Sequence, residues 1–447
     1  MGSWLLASLV AGILLSVTTQ YLISRQHSPG GNSELTVITS SGRIRGQRAE
    51  TRPHVSEFLG IPYAQPPVGD LRFAAPVRFI SDQELNAFTY GQYIAGREDV
   101  VVVTVNYRLN IFGFSGAPGL PQNVGLLDQR MAVEWVRDNI AAFGGDPDRI
   151  TIFGHSAGGV AVDYYTYAWR KNPIVSGAIS MAGTALSTTP NTAEESTKYW
   201  NTAVTALGCA GANDIVACVR SKPFPALSAA VLKVPPEPSK VLPQPVFHPT
   251  VDEKIVFSDY ENISSQGSFT KVPLLIGHTN NEAGYYKIPA HAADRPLTPE
   301  QWTNFNLAGF TCASARAAEH RAQRDIPVWR YRYYGQWPNT ILYPGSGAYH
   351  GTDVAQVFGT AADVSGAPCT DAENQVSALM MHAWAVFAAN PASGLSELGW
   401  PRYSASGNTL VRLAYENSVH VTFVASESTD GGCATIGTDV SYARGAF

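Results

Sequence analysis

One serine lies between two glycines in residues 154–158, which read Gly-His-Ser-Ala-Gly. The short apolar run 150–153 precedes this segment, and a helix-like stretch follows it. A serine on a sharp turn between a strand and a helix exposes its hydroxyl, and flanking glycines let the two elements pack closely. We therefore predict that Ser156 is a nucleophile on such a turn, with Gly154 and Gly158 supporting it.

A serine hydroxyl becomes a strong nucleophile when an imidazole accepts its proton and a carboxylate orients that imidazole. Candidates for both groups follow predicted strands further along the chain. Glu282 lies in the loop after a strand at 273–276, and His350 lies in a loop after an aromatic strand at 328–334. Both loops are polar and flanked by glycine, so each can present its side chain at the end of a sheet.

Strands and helices alternate along most of the sequence. Residues 100–105 form an unbroken β-branched run, which predicts a strand buried on both faces at the centre of a parallel sheet. Apolar residues recur at helical spacing in 128–143 and again in 376–387. A further strand is predicted at 178–181, and a hairpin at 35–45. This alternation is typical of an α/β fold with a mainly parallel sheet.

The composition favours a folded protein without a nucleic-acid partner. The 447 residues are 45% hydrophobic and 15% charged, which argues against disorder. The net charge is −5 and there is no basic run, so we expect no nucleic-acid partner. No Cys or His spacing suits zinc, and no glycine-rich loop suits phosphate, so no metal and no cofactor is implied.

The N-terminus contains a short apolar stretch at residues 4–17, followed by small and polar residues. This stretch is too short for a comfortable membrane span, and it predicts a signal peptide in residues 1–20 and a secreted protein. An N-terminal membrane anchor is the alternative, because residues 21–23 extend the apolar character. The mature chain then begins between Thr18 and Ser33.

Five cysteines fit an oxidising compartment, and their odd number leaves one thiol without an intrachain partner. Cys209 and Cys218 are close enough in sequence to close a small loop. The pairing of Cys312, Cys369 and Cys433 stays open. Asn262 begins an Asn-Ile-Ser sequon, which predicts N-glycosylation in a secreted chain.

Six long segments resemble the type-B carboxylesterases, the cholinesterase-like branch of the α/β-hydrolase fold. They are FLGIPYAQPPVGDLRF (58–73), VVVVTVNYRLNIFGF (100–114), residues 125–159, GHTNNEAG (277–284), GAYHGTDVAQVFG (347–359) and WAVFAANPASGL (384–395). The resemblance implies a single α/β-hydrolase domain over residues 33–447, with a mainly parallel central sheet flanked by helices.

The resemblance also implies roles for individual residues. Ser156 is the nucleophile, Glu282 the acid, His350 the general base, and the Ala157 N–H an oxyanion donor. The expected reaction is hydrolysis of a small-molecule or lipid-like carboxylic ester through an acyl-enzyme intermediate. The pair Cys209 and Cys218 resembles one of the family's disulfides, with two free thiols as the alternative.

The resemblance to the type-B carboxylesterases is interrupted before the predicted strand at 100–105. The family carries a Gly-Gly-Gly turn whose N–H groups bind the oxyanion, and this chain lacks that turn and its strand between about Phe79 and Tyr90. Losing one oxyanion donor costs about 10²–10³ in kcat. Three interpretations stay open. The sequence is an incomplete version of an active esterase, or it is a variant in which a loop such as residues 90–92 supplies a substitute oxyanion donor. The third is a protein with weakened or no catalytic activity that acts in binding or adhesion. A lipase is a further alternative.

Two features beside the predicted nucleophile depart from the family or extend its site. His155 replaces the family's glutamate, and the family's choline-binding aromatic residue belongs to the missing segment. Together these departures remove the case for a quaternary-ammonium ester. A role as a second base is the alternative for His155. Tyrosines near the three predicted residues are candidates for lining an acyl or alcohol pocket, although such clusters are more often core. They are Tyr164, Tyr165, Tyr285, Tyr286 and Tyr349.

Overall fold

The computed structural model describes residues 35–79, 91–235, 246–295 and 297–441, and the backbone of residues 19–25. Its strands are β1 Thr19–Arg25, β2 Thr36–Thr39, β3 Gly42–Arg45, β4 Gln47–Arg48, β5 Ser56–Glu57, β6 Val100–Val105, β7 Gly145–His155, β8 Gly177–Met181, β9 Leu274–Thr279, β10 Val328–Tyr333, β11 Leu410–Leu413 and β12 Thr422–Val424.

The helices in the same ranges connect these strands. They are α1 Gln92–Glu98, α2 Asn110–Gly113, α3 Val124–Asn139, α4 Ala157–Ala168, α5 Ala193–Ala206, α6 Ile215–Ser221, α7 Phe224–Val231, α8 Tyr260–Ser265, α9 Ala283–Ala292, α10 Pro299–Asn306, α11 Cys312–Ala322, α12 Thr352–Phe358, α13 Ala361–Ser365, α14 Asp371–Ala389, α15 Gly394–Glu397, α16 Glu427–Asp430 and α17 Cys433–Ile436.

Eight strands form the central sheet in the order β12-β11-β10-β9-β8-β7-β1-β6. Strands β7 to β11 are parallel to one another, whereas β12 pairs antiparallel with β11. β1 lies between β6 and β7 and is antiparallel to both. The mostly parallel sheet with flanking helices is the α/β-hydrolase arrangement that the sequence predicts.

Hydrophobic clusters cover both faces of this sheet. Ile150 and Ile152 of β7 pack in a cluster that includes side chains of α3 and α4. Phe153, the next residue, packs in a second cluster on the other face, with Met380 and Trp384 of α14. Because side chains alternate along a strand, strands β7 to β10 each contribute to both clusters, and this part of the sheet is buried between two layers of helices.

Most predicted elements are present with shifted ends. The hairpin is formed by β2 and β3, and the helix predicted at 128–143 begins earlier, at Val124. The prediction that 100–105 lies at the centre of the sheet is wrong: among the strands that the structure describes, β6 is at the edge, and four of its six residues are only partly buried. A β-branched run fits an edge strand as well as a central one, because the run alone does not report the number of neighbours.

The sequence predicts that a strand next to β6 is missing from the sheet. The N-terminal segment Thr19–Arg25 fills the position between β6 and β7 as β1. The glycine turn is predicted to be missing near residues 79–90, and residues 80–90 lie outside the described residues. Residues 1–18, which make up most of the predicted signal peptide, also lie outside them. Among the helices that the structure describes, none is long and apolar enough to cross a membrane.

The described residues contain two disulfides. Cys209 pairs with Cys218, which closes the loop between α5 and α6. Cys312, at the start of α11, pairs with Cys433, at the start of α17 near the C-terminus. Cys369 is the free thiol in the described residues, and burial raises its pKa to about 11. The odd thiol that the cysteine count requires is therefore Cys369.

A buried ion pair joins helices α4 and α11. Arg321 of α11 bonds to Asp163 of α4, and the two side chains are 1% and 2% exposed. The other Asp163 oxygen accepts a hydrogen bond from the Ala185 N–H at 2.8 Å. The guanidinium also lies 4.6 Å from the centre of the Phe269 ring. The pair therefore fixes α4, the helix that follows Ser156.

We expect Arg321→Met to lower the free energy of unfolding by about 3–5 kcal/mol, because it leaves the Asp163 carboxylate buried without its cation. Urea unfolding followed by circular dichroism measures the change. Arg137→Met, which removes an exposed pair with Asp138, is the matched control and should change stability by less than about 0.5 kcal/mol. Equal effects of the two substitutions would contradict a stabilising role for the buried pair.

Candidate active site

Ser156 lies on a strained turn between β7 and α4. Its φ is 59° and its ψ −125°, a backbone conformation that costs energy in a residue with a side chain. The Ser156 N–H donates to the Met181 carbonyl at 2.8 Å, and its own carbonyl accepts from the Val160 N–H at 3.0 Å. A Cβ atom at Gly154 would overlap the carbonyl of Gly158, so the strand and helix require glycine there.

Glu282 and His350 are hydrogen-bonded to each other. Glu282 follows β9 and is 1% exposed, and one of its carboxylate oxygens accepts a hydrogen bond from the Thr279 N–H at 2.6 Å. Its other oxygen accepts from Nδ1 of His350. This bond leaves Nε2 as the ring nitrogen of His350 that is available to a reacting group.

Hydrogen bonds between backbone and side chains hold the acid loop against the histidine loop. The Asn281 N–H donates to the Ala348 carbonyl at 2.9 Å, and the Asn281 side-chain amide donates to the Ser346 carbonyl at 2.8 Å. Gly284 lies so close to Ser346 that a Cβ atom there would overlap its carbonyl oxygen. The two loops are thus positioned independently of the bond between Glu282 and His350.

Aromatic rings surround the His350 imidazole. The ring centres of His155, Tyr286 and Phe310 lie 4.3, 5.1 and 5.5 Å from it. Burial lowers the pKa of His350 below its ordinary value of 6.5, so the imidazole is neutral at pH 7 and can accept a proton. Burial raises the pKa of the Glu282 carboxyl, and this effect is opposed by His155 and the Thr279 N–H.

Tyr286 packs against His350. Its ring centre lies 5.1 Å from that of His350 and 4.9 Å from that of Phe305. Tyr286 is 6% exposed, and burial raises its pKa well above the ordinary value. The structure therefore pairs Glu282 with His350 and places two rings against His350, that of Tyr286 and that of His155, the residue before Ser156.

Other candidate residues lie elsewhere. Tyr164 and Tyr165 are buried in the core on the α3 side of the sheet, so their predicted place in a substrate pocket is wrong. Asn262 is exposed near the start of α8. The loop at residues 90–92 is the alternative source of an oxyanion donor. Its Gly91 packs against Val102 of β6, and its Tyr90 lies outside the described residues.

The sequence profile of the carboxylesterase family matches residues 33–87, 79–307 and 303–429. These stretches include all the residues gathered around His350. The chain belongs to the carboxylesterase family.

Curated carboxylesterase relatives extend over nearly the whole chain. A protein named secreted lipase 5 from Gibberella zeae is 31% identical, over 89% of this chain and 94% of its own length. A chlorogenic acid esterase from Aspergillus niger is 31% identical, over 87% of this chain and 88% of its own. A para-nitrobenzyl esterase from Bacillus subtilis is 27% identical, over 82% and 92%.

The alignment with the Gibberella lipase spans 504 positions, whereas this carboxylesterase chain has 447 residues. The lipase therefore carries residues that have no counterpart here. The missing strand and glycine turn stay a prediction.

Sequence reasoning missed two features of this carboxylesterase site. Phe310, which contacts His350, lies in a π-helical segment, Leu307–Thr311, that no periodic pattern indicates. The disulfide between Cys312 and Cys433 fixes the end of that segment, but its partners are 121 residues apart. Neither feature leaves a local signal in the sequence.

We expect Gly284→Ala to lower the turnover of p-nitrophenyl acetate by about 10²-fold, because a displacement of about 1 Å between reacting groups has that effect. The added methyl group would push the acid loop away from Ser346 and from the Tyr349 side chain, whose Cβ would be 2.9 Å away. Gly211→Ala, at a site with open space, is the control and should retain activity. Undiminished turnover of the Gly284 variant would show that the loops need not pack this closely.

Proposed function

We propose that this chain hydrolyses carboxylic esters through an acyl-enzyme intermediate on Ser156. The single observation that carries the proposal is the buried hydrogen bond between Glu282 and His350 beside the strained turn of Ser156. Membership of the carboxylesterase family and the esterase and lipase names of its relatives support ester hydrolysis as the reaction class.

In the acylation step, Nε2 of His350 takes the proton from the Ser156 hydroxyl while Oγ bonds to the ester carbonyl carbon. The carbonyl electron pair moves onto its oxygen, and a tetrahedral intermediate forms. Glu282 stabilises the imidazolium through the Nδ1 hydrogen bond. The intermediate collapses when the bond to the alcohol oxygen breaks, and His350 gives that oxygen its proton.

Deacylation repeats these steps with water as the nucleophile. His350 takes a proton from water, the hydroxide oxygen bonds to the acyl carbon, and Ser156 leaves with the proton returned by His350. Ala157 begins α4, so its N–H has no partner within the helix and can donate to the oxyanion. No cofactor is needed for either step.

The substrate class and the compartment are part of the proposal. A small-molecule or lipid-like ester fits the relatives, which are named for a lipase and for a chlorogenic acid esterase. Secretion is supported by the two disulfides and by the secreted relative. The proposed secretion includes a signal peptide in residues 1–20, whose removal would shorten β1 by Thr19 and Gln20, and the exposed Asn262 then becomes a glycosylation site.

The competing proposal is an inactive member of the family that binds a partner. The absence of the Gly-Gly-Gly turn from the sequence favours it, because that turn supplies oxyanion donors in the family. The retained set of Ser156, Glu282 and His350 favours the enzyme. Activity of the purified chain distinguishes the two.

We expect Ser156→Ala to abolish turnover of a short-chain p-nitrophenyl ester by the 447-residue chain while leaving its melting temperature unchanged, because only the nucleophile is removed. Initial rates measure the first effect, and circular dichroism the second. Ser265→Ala on the exposed surface is the control and should retain the full rate. A Ser156 variant that turns over at the wild-type rate would exclude the proposed mechanism. A folded wild-type chain without turnover would favour the binding protein.

We expect the acid limb of kcat/KM to lie below pH 6.5, because burial disfavours the protonated imidazole of His350. His155→Glu would place a carboxylate about where a ring now lies 4.3 Å from His350. An opposite charge at this distance raises a histidine pKa by about 1–3 units, so the limb should move to higher pH. His155→Gln adds no charge and is the control; equal profiles for the Glu and Gln variants would contradict this coupling.

A further inference from the structure

The segment before His350 exposes two neighbouring apolar side chains. Ile341 is 49% exposed and Leu342 is 44% exposed, although both side chains are large. Residues 333–349 contain no Asp, Glu, Lys or Arg, in a chain of which 15% of the residues are charged. Single exposed apolar residues are common on protein surfaces, but an uncharged segment beside a proposed active site indicates contact with an apolar ligand.

Hydrogen bonds hold this apolar pair against the loop that carries Glu282. The Leu342 N–H donates to the Ser346 hydroxyl at 3.3 Å, and the hydroxyl of Tyr343 donates to the Gly284 carbonyl at 2.6 Å. The Ser346 carbonyl in turn lies against Gly284, where it leaves no room for a Cβ atom. The turn that presents the pair is therefore fixed beside the acid and the base of the proposed site.

The proposed reaction determines which part of an ester lies on this side. In the tetrahedral intermediate, the oxyanion lies toward the Ala157 N–H. His350 Nε2 first takes the proton of Ser156 and then gives it to the alcohol oxygen, so the alcohol lies on the side of His350. The alcohol leaves and water enters there, which requires access from solvent. Exposed side chains beside the histidine loop therefore adjoin the alcohol rather than the acyl group.

We propose that Ile341 and Leu342 bind the alcohol chain of the substrate, and that the enzyme therefore prefers esters of uncharged aliphatic alcohols with longer chains. This inference rests on the proposed function of Ser156 and names the substrate class of that site. The two residues act on specificity only. The acyl transfer itself proceeds through Ser156 and His350 as described above.

Tyr285 extends the surface from the apolar pair toward the base. Its partly buried ring lies 6.5 Å from the His350 ring, measured between centres. It follows Gly284, whose carbonyl accepts the hydrogen bond from Tyr343, so the two tyrosines flank the same point of the acid loop. Tyrosine rings offer an apolar body to a ligand while the hydroxyl stays bonded or solvated.

The absence of charge from residues 333–349 determines the chemistry of the alcohol. A charged alcohol would lose water on this surface without gaining a partner of opposite charge, which is unfavourable. An aliphatic chain gains instead, because each CH₂ group that is fully removed from water favours binding by about fourfold. Since the pair is partly exposed, it covers only part of the chain, and we expect about a tenfold gain from ethyl to hexyl esters.

The test compares ethyl acetate with hexyl acetate, both below their solubility limits, by titration of the released acetic acid. The two esters form the same acetyl-enzyme, so the ratio of their kcat/KM values reports the alcohol alone. We expect hexyl acetate to be favoured about tenfold by the wild type and less than about twofold by Ile341→Ser/Leu342→Ser. Ile38→Ser, at a side chain that is 74% exposed on β2, is the control and should keep the wild-type ratio.

Two further measurements separate alcohol binding from a packing defect. The ratio of kcat/KM for p-nitrophenyl hexanoate to that for p-nitrophenyl acetate should be the same in the double variant and the wild type, because the acyl group lies on the other side. Inhibition by hexan-1-ol should weaken about tenfold in the double variant. The exchange Ile341→Leu/Leu342→Ile keeps the apolar surface and should retain the wild-type preference for hexyl acetate.

The remaining outcomes contradict one proposal or the other. An unchanged ratio of the two acetates in the double variant, or an equal loss in the acyl series, overturns the alcohol site and leaves the proposed function standing. A loss that occurs only above the solubility limit also overturns it, because the pair would then dock on a lipid surface. A wild-type chain without turnover, or turnover that survives Ser156→Ala, contradicts the proposed function itself.

Discussion

The turn at Ser156 is the constraint on which the site depends. Strand β7 and helix α4 meet so closely that residue 154 has no room for a side chain, and the serine between them adopts a positive φ. Its N–H is tied to Met181 at the end of β8. The energy stored in this backbone is offset by burial on both sides of the sheet, where two hydrophobic clusters hold the strand and the helix in place.

The loops that carry Glu282 and His350 are positioned by contacts that do not involve the Ser156 turn. Asn281 and Gly284 join the loop after β9 to the loop that carries His350, mainly through backbone atoms. Backbone contacts of this kind define positions more precisely than flexible side chains do. The Glu282 carboxylate then needs only to orient an imidazole that is already close to it.

The sequence predicts the parts of this arrangement that have local causes. Glycine spacing indicates the turn at Ser156, and apolar periodicity indicates helices such as α14. It does not predict that β6 lies at the sheet edge, because neighbours are set by chain topology rather than by composition. The pairing of Cys312 with Cys433 and the contact of Phe310 with His350 also depend on residues that only folding brings together.

Helix α9 carries Glu282 at its cap and Tyr286 one turn later, and it starts where Gly284 fits against Ser346. An insertion or deletion of one residue in this turn would rotate everything after it by about 100°. The length of this stretch is therefore constrained together with the identities of Glu282 and Gly284. Over evolutionary time, length changes should therefore accumulate in the surface loops around this short stretch and not within it.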